Sequence, residues 1–426
     1  MAQIEGFRIQ NYKALKNITL GKLWDNKNDP LTKLTVVIGK NGTGKSSIFD
    51  AFGFISDCLK KGVEEACEER GGFEKIFSKG QNITEGMKFE IYYRESPKES
   101  PITYEFSINL DRKKRPFVSF ERLRQRRKGS RGRGRPFSFL ILNNGTGVVW
   151  KGETVSKLTN EDANSITSLI DQIESEMKSE ETNETEVVRM EDNRRLAITI
   201  LGSLKQHPRV IKFRKFIESW YLSYFSPESA RFLPNSGSQK HLNVHGDNLA
   251  NVVQYMQREH DDRFTKILNK ISKKIPGITS VKTSVSPDSR LLLEFYAQGY
   301  NTPFFAQQMS DGTLKFFTYL LLLEDPEPYS LVCIEEPENG LYCKLLGVLT
   351  QEFRSYASNG RSQVFITTHQ PFLVNGLKAD EVWILEKQAD GFSTISRASD
   401  NELVKNMFDA GLPLGDLWYS DYLSED

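Results

Sequence analysis

The chain has 426 residues, and its 57 Lys and Arg residues nearly balance its 56 Asp and Glu residues, giving a formal net charge of +1. This balance excludes a uniformly basic histone-like binder and an acidic disordered chain, while a hydrophobic content of 38% supplies a large core. The length predicts two or three domain-sized units, since single cores stop growing at about 250–300 residues.

The four cysteines show no metal-binding or disulfide pattern. Cys58, Cys67, Cys333 and Cys343 have no CxxC or Cys/His ligand spacing. The longest apolar stretch is also far shorter than the roughly 18 residues of a membrane span. We therefore expect a soluble protein of the reducing cytoplasm, with no membrane contact.

The first strong pattern in chain order is an abrupt change from strand to helix. A β-branched run, 34–38, stops at the glycine-rich loop 39–46, and apolar residues then recur at helical spacing over 48–59. The loop reads GKNGTGKS and matches the GxxxxGKS motif, in which backbone amides cradle phosphates. In that motif the lysine, here Lys45, reaches the β- and γ-phosphates, and the serine, here Ser46, ligates magnesium. The alternative is a glycine turn that ends by chance in Gly-Lys-Ser.

The middle of the chain changes pattern twice. Short alternating strands over 87–150, with Asn144-Gly145 as a tight hairpin turn, predict an antiparallel sheet. A helical stripe from residue 160 onward, followed by a polar stretch, predicts a helical insertion. From about residue 226, strands and helices alternate as in an α/β layer. The predicted segments are 1–150, 151–225 and 226–426.

Charge is concentrated in this middle region. Segment 112–135 carries 12 Lys and Arg residues and one acid, a local charge of +11, and segment 161–192 carries 11 acids and two bases, a local charge of −9. The basic segment suits salt-dependent, sequence-independent contacts with DNA or RNA phosphates. The alternatives are a solvated hairpin and an ionic partner for the acidic segment. The candidate nucleic-acid contacts are Arg122, Arg124, Arg126, Arg127, Lys128 and Arg131.

Two carboxylates end a later strand pattern. The apolar run 331–334 is followed by Glu335 and Glu336, an arrangement that places one acid near a magnesium shell and the next near an attacking water. An ordinary acidic turn is the alternative, and the phosphate-loop motif upstream disfavours it.

Two further positions complete the pattern. Ser310 opens an apolar helix, and a serine cap with free amides at a helix start is an anion site. His369 follows the strand pattern 364–368, where it could sense a γ-phosphate or the attacking water. Taken singly, Ser310 reads as an ordinary N-cap and His369 as a structural loop histidine. Their order and spacing favour the functional interpretation.

This order of motifs resembles the ATP-binding-cassette (ABC) ATPase superfamily, in its SMC/RecF-like branch. A closer resemblance is to prokaryotic RecF-like AAA-family ATPases of phage-defence or toxin modules. It rests on the stretches FRIQNYKALKN, MSDGTLKF, IEEPENGLY, TTHQPFL and LGDLWYSDYL. The resemblance covers 1–150 and 226–426. It implies an α/β fold, a P-loop ATPase head with an antiparallel β-subdomain and a helical insertion.

The resemblance also implies an ATP site with magnesium and gives the motif residues their roles. Lys45 contacts the phosphates, Glu336 is the general base that orients water, and His369 is the switch histidine. Ser46 and Glu335 hold magnesium. The implied nucleotide-binding loop comprises Gly39, Lys40, Asn41, Gly42, Thr43, Gly44, Lys45, Ser46 and Ser47.

The implied signature motif is Ser310, Asp311 and Gly312. In the family this motif contacts the γ-phosphate of ATP held by the opposite subunit, which implies a head-to-tail homodimer or a higher homo-oligomer. One departure stands out, because Tyr342 occupies a position where His or Asp is expected, and this puts communication between the two sites in doubt.

Three classes of function are compatible with these patterns. The first is an ATP-hydrolysing switch that controls a separate nuclease or toxin-like effector in anti-phage defence. The second is a RecF-like repair ATPase that clamps on DNA, and the third is a weakly hydrolysing ATP-bound scaffold.

Overall fold

A computed structural model of the chain describes residues 2–126, 136–151, 185–275, 277–360 and 362–423. The strands are β1 Gln3–Tyr12, β2 Leu15–Gly21, β3 Leu34–Ile38, β4 Met87–Arg94, β5 Ile102–Leu110, β6 Pro116–Arg126, β7 Pro136–Asn143, β8 Thr146–Trp150, β9 Thr185–Arg189, β10 Trp220–Ser223, β11 Ile278–Val285, β12 Leu291–Ala297, β13 Phe304–Phe305, β14 Leu331–Glu335, β15 Gln363–Thr368, β16 Val382–Lys387 and β17 Ser393–Arg397.

The described α-helices are α1 Lys45–Lys61, α2 Val63–Glu68, α3 Phe73–Ile76, α4 Ala197–Leu201, α5 Pro208–Glu218, α6 Pro227–Ala230, α7 Leu249–Glu259, α8 Asp261–Lys274, α9 Asp311–Leu323, α10 Cys343–Ser358, α11 Pro371–Val374, α12 Glu402–Asp409 and α13 Leu414–Tyr419. Short 3₁₀ helices cover Ile83–Glu85, Ala306–Gln308, Ala379–Glu381 and Ala398–Asp400.

The chain divides into two compact units. The N-terminal unit comprises Met1–Thr32, Gly39–Trp220 and Ile384–Ser396. The C-terminal unit comprises Lys33–Ile38, Tyr221–Trp383 and Arg397–Asp426.

An eight-stranded sheet dominates the N-terminal unit. Its order is β2-β1-β4-β5-β6-β7-β8-β9, with antiparallel neighbours throughout. Asn144 and Gly145 have φ of 48° and 79°, the left-handed values that a two-residue hairpin turn needs, so the predicted turn between β7 and β8 is confirmed. On helix α1, Phe52 is buried and its ring stacks on that of Phe7 in β1, with 4.6 Å between centroids.

The sheet includes one strand that the sequence patterns do not predict. The segment 151–225 is expected to be helical, yet β9 pairs with β8 inside it. The β-branched pair Val187 and Val188 suits an extended edge strand, which explains the difference. Helices α4 and α5 follow, and the predicted helical stripe from residue 160 lies outside the described residues. The three-segment division of the chain stays a prediction.

A parallel sheet forms the centre of the C-terminal unit. Its order runs β10-β14-β15-β3, and β14, β15 and β3 are parallel neighbours. Every residue of β3 and β15 is buried, which is typical of parallel strands covered on both faces. Strand β16 begins in this unit and forms a hairpin with β17 in the N-terminal unit. The separate sheet β11-β12-β13 is antiparallel.

Candidate functional site

The glycine-rich loop follows β3 and lies in the N-terminal unit. Gly42 and Gly44 have φ of 81° and 99°, in the left-handed region that favours glycine. At Gly39 a side chain is excluded for a different reason, because a Cβ atom there would lie 2.6 Å from the carbonyl oxygen of Leu385. The loop therefore needs its glycines both for backbone conformation and for close approach to β16.

Helix α1 begins directly after this loop. Its N-cap is Gly44, which has no side chain to cap the first turn, and Ser46 is exposed there. The Lys45 ammonium donates to the carbonyl oxygens of Gly39, at 2.9 Å, and Lys40, at 3.2 Å. Below the loop, the Ser393 hydroxyl donates to the Thr43 carbonyl oxygen at 2.6 Å. A phosphate site uses donors of the kinds found here, namely the Lys45 ammonium, the Ser46 hydroxyl and amides at a helix N-terminus.

The carboxylate pair lies at one edge of the parallel sheet in the C-terminal unit. Glu335 at the end of β14 pairs in register with Thr367, and Thr367 pairs with Val37 near the end of β3. The carboxyl ends of the three strands therefore lie side by side. Glu336 and His369 both leave the sheet from this edge, where β3 also ends.

Glu336 is held at several points within the C-terminal unit. Its φ of 41° is unusual for a residue other than glycine, and its amide donates to the Thr367 carbonyl oxygen at 2.9 Å. Its Oε1 atom lies 3.1 Å from His369 Nδ1, and its Oε2 atom accepts from Asn339 Nδ2 at 3.0 Å. The two predicted catalytic side chains, Glu336 and His369, are thus in direct contact.

Glu338 is a third carboxylate at this edge that the sequence patterns missed. Its Oε1 atom accepts from the Thr368 hydroxyl at 2.7 Å and from the His369 amide at 2.9 Å, and it lies 3.3 Å from His369 Nδ1. The residue is 5% exposed. Its signal in the sequence was its place in the run EEPE, directly after the two predicted acids.

Lys315 is a second missed residue, and its signal was a lone lysine in the largely apolar helix α9. It is 6% exposed, and its ammonium donates to the carbonyl oxygens of Glu336 and Asn339, both at 3.1 Å. Burial lowers the pKa of Lys315 to about 8, although the Glu338 and Glu336 carboxylates oppose this shift.

The predicted signature residues lie at the start of α9. The Ser310 hydroxyl caps the helix by accepting from the Thr313 amide at 3.3 Å. The Arg231 guanidinium donates to Asp311 Oδ1 at 2.5 Å and to the Met309 carbonyl oxygen at 2.8 Å. A contact between Ser310 and nucleotide stays a prediction.

A cleft of about 560 Å³ joins several of these residues in the C-terminal unit. Asp311, Lys315, Glu335 and Glu336 line it, and the segment 223–227 forms part of its wall. The start of α9 and the carboxylate pair thus open onto the same space.

Two of the nucleic-acid candidates are engaged in ion pairs within their own sheet. Arg122 and Arg124 on β6 lie 2.7 and 2.6 Å from the carboxylate oxygens of Glu105 on β5, and Arg124 also stacks over the Trp24 ring at 4.5 Å. Glu105 and Arg122 are direct cross-strand partners, which explains the pairing. These two side chains therefore have an intramolecular role, with Glu105 as partner. The side chain of Arg126, together with Arg127, Lys128, Arg131 and residues 161–184 of the acidic segment, lies outside the described residues.

Among the helices in the described ranges, none combines the length and the apolar character that crossing a membrane requires.

Comparison with solved structures defines the class of fold. An Smc head bound to the C-terminal winged-helix domain of ScpA matches with 14% identity and a TM-score of 0.51, over 92% of this chain and 97% of that one. An Smc head with an extended coiled coil, bound to the C-terminal domain of ScpA from Pyrococcus furiosus, matches with 13% identity and a TM-score of 0.50, over 96% and 100%. The chain therefore has the fold of an SMC head, as its motifs predict.

A family model places the chain within that class. The model described as "AAA domain, putative AbiEii toxin, Type IV TA system" matches residues 34–375, so the chain belongs to this AAA family. A search of curated proteins gave no match. Fold and family together identify an SMC-like AAA ATPase of the ABC type, and the predicted fold class is confirmed.

Proposed function

We propose that the protein binds ATP with magnesium, hydrolyses it, and uses the cycle to control a separate effector protein. The observation that carries the proposal is the shared sheet edge. Strand β3 leads from this edge into a GxxxxGKS loop, and Glu335, Glu336 and His369 follow the neighbouring strands there. Phosphoryl transfer to water needs a phosphate cradle and a base, and these motifs follow strands of the same parallel sheet.

Each site residue then has a chemical role. The loop amides and Lys45 bind the phosphate chain, Glu336 orients and deprotonates the attacking water, and His369 interacts with the γ-phosphate or that water. Ser46 and Glu335 would hold magnesium, which when bound neutralises charge that develops on the phosphate oxygens. The contact of Glu336 with His369 supports this assignment, since it keeps the base oriented before water arrives.

The proposed dimer and the proposed effector are supported by the family resemblance and the family description. The resemblance to SMC/RecF-like ATPases supports a head-to-tail homodimer in which Ser310, Asp311 and Gly312 reach the nucleotide of the opposite subunit. The family description names a putative toxin of a toxin–antitoxin system, which favours the effector switch over DNA repair. The solved Smc heads are bound to domains of ScpA, so a head of this fold can hold a partner protein.

Two substitutions test the ATPase. We expect Lys45→Ala to lose nucleotide binding, because it removes the positive charge opposite the β- and γ-phosphates.

Glu336→Gln should bind ATP but lose hydrolysis by roughly 10²-fold or more, and trap a dimer. Phosphate release, nucleotide affinity and light scattering with ATP measure these effects.

Exposed residues supply matched controls. Lys79→Ala and Glu327→Gln change the same side-chain types away from the site and should behave like the parent protein. Unchanged nucleotide affinity in Lys45→Ala would remove the loop from the proposal. Parental hydrolysis in Glu336→Gln would show that another group is the base.

A further inference from the structure

Lys315 is a buried charge that the proposed roles do not use. It lies on α9, five residues after Ser310, among residues that are almost all apolar and buried. Burying an ammonium is costly unless its N–H donors find acceptors and its charge is paired with an opposite charge. A methionine of similar length would avoid that cost, so a structural role alone gives little reason for lysine here.

The contacts of Lys315 are directed at the backbone of the base. Its ammonium donates to the carbonyl oxygen of Glu336 and to that of Asn339, each at 3.1 Å. On the other side, the Glu336 amide donates to Thr367 on β15. The left-handed Glu336 backbone is therefore fixed from the strand on one side and from α9 on the other.

A second contact joins the same two elements. Gly312, in the first turn of α9, packs so closely on the turn 336–340 that a Cβ atom there would lie 2.6 Å from the Gly340 carbonyl oxygen. The start of α9 thus cannot shift relative to this turn without disturbing Lys315 and Glu336. Backbone packing and the lysine contacts act on one turn.

We propose that Lys315 is a positioning residue that couples the signature end of α9 to the catalytic base Glu336. This inference rests on the proposed ATPase and on its head-to-tail dimer. In that dimer, nucleotide held by one subunit contacts the start of α9 in the other, and Lys315 transmits the contact to the base of that other subunit.

Tyr342, the position where a histidine or aspartate was expected to link the two sites, supports coupling through Lys315. Tyr342 is 66% exposed and lies past the turn, at the N-cap of α10. Lys315 is instead buried against the turn itself. Coupling between sites therefore passes through α9 and its lysine, without requiring the expected histidine or aspartate at 342.

The test compares Lys315→Met with the parent in steady-state ATP hydrolysis. Positioning errors of about 1 Å can cost about 100-fold in rate, so we expect kcat to fall by about that factor. Affinity for a non-hydrolysable ATP analogue should stay within about twofold, because the phosphate loop is untouched. The parent should show a Hill coefficient above 1 for ATP, falling to about 1 in the variant.

The control is Lys344→Met, an exposed lysine on α10, which should match the parent in every measurement. If Lys315→Met does not fold, Lys315→Gln keeps amide donors without the charge and is judged by the same criteria. A parent that hydrolyses no ATP defeats the proposed function. An active parent with a Hill coefficient of 1, or a folded variant with parental kcat and cooperativity, overturns the coupling by Lys315 alone.

Discussion

Glu338 lies at the centre of the contacts that hold His369. One of its oxygens accepts from the Thr368 hydroxyl and from the His369 amide, so the carboxylate fixes the histidine at its backbone and faces its ring. Its other oxygen, Oε2, is buried and has no hydrogen-bond partner among the described residues. A buried carboxylate with a spare oxygen costs stability, which is consistent with a role in orienting the site.

We expect Glu338→Gln to slow ATP hydrolysis by roughly tenfold or more while nucleotide binding is retained. The amide keeps the shape and one acceptor but loses the charge that faces the His369 ring, so the ring is held less firmly against Glu336. Rate and affinity measured separately would show the effect. Glu327→Gln is the matched control, since Glu327 is 66% exposed. Equal rates in the two variants would limit Glu338 to a structural role.

At the scale of elements, α9 and the turn 336–340 meet through backbone atoms. Gly312 allows this approach because it has no side chain, and Arg231 holds the residues just before it through Met309 and Asp311. The signature glycine thus has a packing reason that is independent of any ligand. Its replacement should separate the helix start from the turn.

Gly312→Ala should impair hydrolysis and lower stability, because the added Cβ atom overlaps the Gly340 carbonyl oxygen. Overpacking of this kind typically costs about 1–3 kcal/mol. Gly347→Ala on α10 is the control, since a Cβ atom there meets nothing within 4 Å. The control should gain up to about 1 kcal/mol from helix propensity. Thermal unfolding and ATP hydrolysis check both variants, and an active, fully stable Gly312→Ala would contradict the packing argument.

On strands β5 and β6, part of the basic segment 112–135 is balanced by carboxylates of the same sheet. Glu105 forms ion pairs with Arg122 and Arg124 across the strand pair. Burial together with the charge of Glu105 raises the pKa of the neighbouring Glu90 to about 7. These charges form one network on the sheet. Local net charge therefore overstates what this part of the surface offers to nucleic acid.

At the scale of the whole molecule, the proposed function predicts a partner protein that the ATPase cycle controls. We expect a stoichiometric protein with a nuclease or toxin-like active site to co-purify with tagged Glu336→Gln in ATP. The trapped ATP-bound state should retain the partner, which the cycling protein releases. The amount of partner recovered should therefore differ between Glu336→Gln and Lys45→Ala. Mass spectrometry of both samples measures this. Equal recovery from the two variants, or recovery of nuclease-sensitive nucleic acid alone, would favour the DNA-repair alternative.

Features that depend on residues close together along the chain could be predicted from the amino-acid sequence alone. The glycine-rich loop between strand and helix, the hairpin at Asn144-Gly145 and the carboxylates after β14 follow from backbone preference and hydrophobic period, which act over a few residues. These features were enough to predict the ATPase motifs, and the fold class followed from the family resemblance that the motif stretches carry.

The residues that act together across long sequence separations could be recognised only in the folded chain. Lys315 meets Glu336 across 21 positions and Glu338 meets the His369 amide across 31, and the pairing of Arg124 with Glu105 depends on strand register. Such contacts arise when helices and strands pack, and no local pattern encodes the partner. The motif residues were therefore visible in the sequence, whereas the residues that hold them in position became visible only in the folded chain.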